Sequence, residues 1–188
     1  MQFVYLPSDH TWSTTPGARR PTAYVADNDF ALGRLVDAVS HSSFWRSTAI
    51  FVVEDDSQDG PDHVNGHRMP ALVISPYTQT GGVDSTFYST ASALRTMELI
   101  LGVGPMTQFD AVATPMTAAF TSTPDFRPFD VLPPEVSLWA KNQFSAPMAG
   151  WSAKADFSHP DLENPTRENQ AIWKSVRGRH SRMPLPPG

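Results

Sequence analysis

Ala49-Ile50-Phe51-Val52-Val53, then Glu54-Asp55-Asp56-Ser57-Gln58-Asp59-Gly60-Pro61-Asp62-His63-Val64-Asn65-Gly66-His67-Arg68-Met69-Pro70, then Ala71-Leu72-Val73-Ile74-Ser75-Pro76-Tyr77 is the stretch whose reading decides the fold. Its first and third parts are short, uncharged and rich in β-branched residues, as expected of buried parallel strands. Its middle part crowds acids and imidazoles between Gly60, Pro61 and Gly66. Strand ends of this kind are where α/β sheets hold their ligands. Adjacent carboxylates repel one another unless a cation or a shared proton relieves them. Asp55 and Asp56, with His63 and His67 folding back through the Gly/Pro turns, make an oxygen-rich donor set with some nitrogen. That set suits Zn, Mn, Fe, Mg or Ca without choosing among them. The competing reading is a solvated acidic turn. An EF-hand loop fails, because Ser57 stands at its third position and Gly66 where the bidentate Glu is required.

Outward from this stretch, Asp27-Asn28-Asp29 offers capping side chains to a helix over 28–41, in which Leu32, Leu35, Val36 and Val39 recur on one face. Phe3-Val4-Tyr5-Leu6 reads as a further strand, ending at Pro7 and followed by Asp9, His10 and Thr11. Ser89 or Thr90 starts a helix that runs through Leu94, Met97, Ile100 and Leu101 and stops at Gly102. Strand, helix, strand, loop, strand is an α/β order. From Pro105 to Pro134 little periodicity is left, and the chain reads as a long irregular connection. Residues 161–178 read as a terminal helix docking through Trp173, while Trp12, Trp45 and Trp139 read as packing groups.

The 188 residues, 40% apolar and 18% charged, suffice for one ordinary globular domain with a real core. A net charge of −5 with no Lys/Arg run argues against nucleic acid or an anionic membrane as the main partner. No apolar run is long enough to span a bilayer. The absence of cysteine excludes disulfides and thiolate metal sites.

Leu6-Pro7-Ser8-Asp9-His10-Thr11, Ala26 to Val36, Phe51 to Val64, His67 to Tyr77 and Tyr88-Ser89-Thr90-Ala91-Ser92, in this order, resemble a known family over roughly residues 3–125. It is the bacterial phosphoesterase family of phospholipase C and acid phosphatase type, in the alkaline phosphatase superfamily. The resemblance implies part of a three-layer α/β/α sandwich over 1–125, its C-terminal half, followed by a Pro-rich wrapping segment over 126–188. It implies hydrolysis of phosphate-ester substrates with a divalent metal ion (Zn, Mn, Ca or Mg). Asp55 and Asp56 match the strand-end metal pair, His10 the first ligand His, and His67 the last, three residues before Pro70. Where the superfamily has an Asp four residues before the first His, this chain has Leu6, with Asp9 beside His10 as a substitute. His63 matches a ligand or supporting position, while Arg68 reads either as a phosphate contact or as a surface ion-pairing residue.

The family's nucleophile, a Ser or Thr, belongs to an N-terminal half that these residues do not match, so the missing half is an expected partner and no residue here takes its role. The alternative is a metal-binding or interaction remnant without catalysis. The resemblance further implies an exported or periplasmic location.

Overall fold

The computed structural model describes residues 1–8, 10–54, 69–159 and 162–184. They are mixed α/β and form two compact units, one of residues 1–38 with the chain from Phe129 onward, the other of residues 39–54 and 69–128.

In the first unit, α1 (Pro21–Ser40) begins well before the expected start. Pro21 presets the backbone of the first turn, and the Arg20 carbonyl accepts from the Ala23 and Tyr24 amides at 2.9 and 3.2 Å. The Asp27 cluster is therefore inside the helix and caps nothing. The predicted apolar face is real: Val36 is buried, and Leu32, Leu35 and Val39 are half-buried. The chain near Val131 lies along this helix. The Val131 amide donates to Asp37 Oδ2 at 2.9 Å, and a Cβ on Gly33 would stand 3.2 Å from Val131 Cγ2. Two short elements follow, α4 (Ala149–Ser152) and α5 (Pro165–Arg177). Asn164 caps α5 through the Arg167 amide at 3.0 Å, and the fully buried Ala171 marks its packed face. Trp173, the expected docking residue, is only half-buried and carries the Arg177 guanidinium 5.4 Å from its ring centre.

Phe3–Leu6 is in no strand, and Phe3, Val4 and Tyr5 are exposed. An apolar run of four residues becomes a strand only where a neighbour supplies hydrogen bonds, and no described strand pairs with it. Trp12 and Trp139 are also more exposed than packing groups would be, whereas Trp45 is buried as expected.

The second unit is built on β1 (Ile50–Val53) and β2 (Ala71–Ile74). They pair antiparallel, Ile50 opposite Ile74 and Val53 opposite Ala71, which corrects the parallel reading. Uncharged β-branched runs fit either arrangement, and the run itself carries no information about the partner's direction. The pair is also less buried than expected, with Val53 and Leu72 nearly half exposed. Beyond β2 the Pro/Thr-rich chain adds hydrogen bonds: the Gln79 amide to Ala119 O at 2.8 Å, and the Thr121 amide to Tyr77 O at 2.7 Å. Phe120 packs on Phe51, and Phe126 lies edge-on to Tyr77 and under Arg46. Part of the stretch read as a long irregular connection thus bridges to the chain just after β2, Phe120 opposite Thr78.

Helix α2 (Thr90–Leu101) matches its sequence reading at both ends. Ser92 Oγ accepts from the Ser89 amide, and Gly102 adopts a left-handed φ of 68°, which glycine meets without strain. A further helix, α3 (Gln108–Val112), lies where no element was assigned. Thr107 and Asp110 cap it reciprocally, Thr107 Oγ1 accepting from the Phe109 amide and Asp110 Oδ1 from the Thr107 amide at 2.7 Å. The Met106 amide donates to both Asp110 Oδ2 at 2.7 Å and Glu98 Oε1 at 3.2 Å, tying α3 to α2.

The Thr107 hydroxyl, foremost among these donors, holds the Asp110 carboxyl below the usual carboxylate range. A depressed acid contributes stability above its unfolded pKa near 3.9, and that stability is lost as pH falls further. Denaturant titrations between pH 5 and about 2 are expected to show a loss that is shallower in Asp110→Asn. Equal slopes for the two proteins would contradict this assignment.

Candidate functional site

The β1/β2 pairing places the described residues on either side of the acidic stretch. Because Val53 faces Ala71, the chain that leaves the ribbon at Glu54 re-enters it at Met69-Pro70 beside its point of departure. Asp55 follows Val53 by two residues, and His67 precedes Ala71 by four. Asp55, Asp56, His63, His67 and Arg68 themselves lie outside the described residues, as does Asp9. Among the described residues no three His, Asp or Glu side chains gather as a metal site.

His10 is described, and it is exposed. The chain on either side of it is anchored within the first unit. Ahead of it, Ser8 Oγ donates to Asp27 Oδ2 at 2.7 Å, and Arg19 reaches the same carboxylate oxygen at 3.3 Å. Arg19 also donates to the Ala23 carbonyl and lies over the Tyr24 and Trp139 rings, 4.8 and 5.3 Å from their centres. Asp27, read from the sequence as a cap, instead ties the His10 segment to α1. A polar residue nearly two turns inside a helix has no capping role, and the sequence carries no signal for the contact with Ser8.

After His10 the chain enters a buried polar turn. The Thr14 amide donates to Ser152 Oγ at 3.1 Å, and Asn142 Nδ2 reaches the carbonyls of Ser13, Thr15 and Arg19 at 3.0, 3.2 and 3.2 Å. Ser13 and Thr14 are fully buried, and Ser13 holds a left-handed φ of 45°. Neither hydroxyl has a hydrogen-bond partner among the described residues. A left-handed backbone costs a non-glycine residue on the order of 1 kcal/mol, and a buried unpaired hydroxyl adds to that. Ser13→Gly is therefore expected to raise stability by about 1 kcal/mol in urea denaturation. A loss of stability would mean that the hydroxyl makes an interaction of its own.

A cavity of about 310 Å³ opens at the start of α1, lined by Arg20, Thr22, Asn142, Gln143, Ser145 and Ser175 among others. Its lining contains no imidazole or carboxylate, so it lacks metal-ligand chemistry. No described helix is long and apolar enough to cross a membrane.

A family model described as "Phosphoesterase family" matches residues 11–104, half of the chain. The match begins one residue after His10 and runs through α1, the ribbon, the acidic stretch and α2. No curated protein matches the chain.

Proposed function

The chain belongs to the phosphoesterase family, and from that premise we propose that it takes part in metal-dependent hydrolysis of phosphoric esters, as the ligand-bearing portion of an alkaline phosphatase-like three-layer fold of the phospholipase C/acid phosphatase type. The observation that carries the reading is the ribbon's register. It sets Val53 opposite Ala71, so the described residues that flank the acidic stretch in sequence are neighbours.

The donor set fits a divalent cation. Carboxylates suit hard cations, and neutral imidazole nitrogen extends the choice to Zn and Mn. Asp55 and Asp56 would hold the metal on the nucleophile side; His10 and His67, with Asp9, would hold a second ion or contact the phosphate. His63 would orient a ligand, and Arg68 would pair with a phosphoryl oxygen. A bound divalent ion would lower the pKa of the attacking hydroxyl and offset charge on the phosphoryl group. The residues of this chain would fix the ester for in-line attack. In this reading the attacking Ser or Thr comes from a segment outside residues 1–188, and an exported or periplasmic setting goes with it.

The test is calorimetric titration of residues 1–188 with Zn, Mn, Ca and Mg, alongside hydrolysis of a chromogenic phosphomonoester and a phosphodiester. The expected result is saturable metal binding without turnover. Turnover would place the nucleophile within this chain. Absence of binding for every metal would overturn the ligand assignment.

A further inference from the structure

The cavity at the start of α1, wholly within the first unit, has surplus hydrogen-bond donors and no acid to take them up. Arg20 lines it, and Arg20 Nε donates to the Lys141 carbonyl at 3.1 Å, which tethers the guanidinium. Among the described residues nothing accepts from its Nη1 and Nη2 atoms, and no acid pairs with it. Thr22 and Gln143 line the same space. The Thr22 hydroxyl makes no hydrogen bond among the described residues. Ser145 Oγ donates to Gln143 Oε1 at 3.4 Å, which leaves the Gln143 Nε2 hydrogens without an acceptor. A second guanidinium stands beside the lining, since Arg179 donates through Nη2 to the Ser145 carbonyl.

The local charge is opposite to that of the chain. Acids outnumber Lys and Arg by 19 to 14 overall, yet after Glu168 the sequence carries Lys174, Arg177, Arg179 and Arg182 and no acid. Ser175 and Val176, within that cationic segment, line the cavity.

We propose that this cavity binds a phosphoryl group, carried by a small soluble phosphate or by a lipid headgroup. The donor set selects it. A phosphoryl group presents three acceptor oxygens and nearly two negative charges at neutral pH, and two guanidiniums with hydroxyl and amide donors match both. A carboxylate has half that charge and fewer oxygens, so it leaves donors unused. At about 310 Å³ the space is at the lower end of the roughly 300–1,000 Å³ of ligand pockets, which admits a headgroup and not a folded partner. None of the candidate metal ligands lines it, so the site stands whether or not the acidic stretch binds a cation.

Residues 1–188, dialysed free of divalent ions and held at low salt, are titrated with inorganic phosphate and with glycerol phosphate and followed by amide chemical shifts. Saturable binding with a Kd on the order of 1 mM is expected, weakened about tenfold in Arg20→Gln and in Arg179→Gln. The Arg20 backbone bonds to α1 and to Ala140 survive its substitution, and Arg179 lies outside any helix, so both variants should keep the parent's circular dichroism. If Arg20→Gln does not, Arg179→Gln carries the test. Lys154→Gln removes the same charge at an exposed position outside the lining and should leave the Kd within about twofold. Saturation by glycerol phosphate assigns the phosphoryl group to a soluble molecule. Flotation with phosphatidic acid vesicles but not phosphatidylcholine vesicles, lost in Arg20→Gln, assigns it to a lipid. Absence of binding to all of these phosphates overturns the proposal. So does binding that the two arginine variants leave intact, or an equal loss in Lys154→Gln, which would be diffuse attraction.

Discussion

Alanine at both Asp55 and Asp56 is expected to weaken divalent-metal binding by about 100-fold or more, measured by calorimetric titration of the chain. Two adjacent carboxylates at the end of a strand repel each other, and a cation is the simplest relief. Removing both takes away the charge that binds and the repulsion that makes binding favourable. The same argument gives a second readout with the opposite sign. Without metal, the double variant should be no less stable than the parent. With metal at about 100 times its Kd, the parent alone should gain about 2.7 kcal/mol, or roughly 5–10 °C in Tm for a chain of this size. Metal affinity and metal-dependent Tm that survive in the variant would leave the stretch as a solvated acidic turn and move the chemistry elsewhere.

How much of this was legible in the sequence depended on whether the deciding interaction was local. Helix α2 was readable from end to end because its evidence lies within the element: Ser89 and Ser92 at one end, an apolar spacing of three and four, and Gly102 at the other. The two strand runs were readable as strands for the same reason. Their antiparallel pairing was not, because direction is a property of two segments and neither run encodes it. Phe3–Leu6 shows the converse, a run with strand composition and no described strand partner. Helix α3 is only five residues long, too short for periodicity, although the Thr107/Asp110 pair three apart was a signal that could have found it. In the candidate site, the residue types pointed to a cation or a solvated turn, and phosphoester chemistry came from the family resemblance of the ordered motifs, with which the family match agrees. The roles of Asp27 and Asn142 were invisible, since each acts on a segment whose proximity only the fold creates.

Asn142 is where the largest loss of stability is expected. Its Nδ2 has two hydrogens and three carbonyl acceptors, those of Ser13, Thr15 and Arg19, so at least one bond is shared. The backbone bonds around it, Asn142 N to Ala18 O and Gly17 N to Asn142 O, both 2.9 Å, survive any side-chain change. Asn142→Ala would leave buried carbonyls unpaired in a turn that already holds two unpaired hydroxyls, at a cost of about 3 kcal/mol. Thermal unfolding should fall by roughly 6–12 °C. Asn142→Asp separates this account from a simple packing role. A carboxylate there would face three carbonyl oxygens, so its ionised form is disfavoured and its folded pKa is raised above the unfolded value near 3.9. A raised acid pKa makes the folded state relatively more stable when the group is protonated. Asn142→Asp should therefore recover stability as pH falls from 7 toward 5, while Asn142→Ala shows no such gain over the parent. Parallel pH profiles for the two variants would mean that Asn142 fills space rather than holding the turn that follows His10.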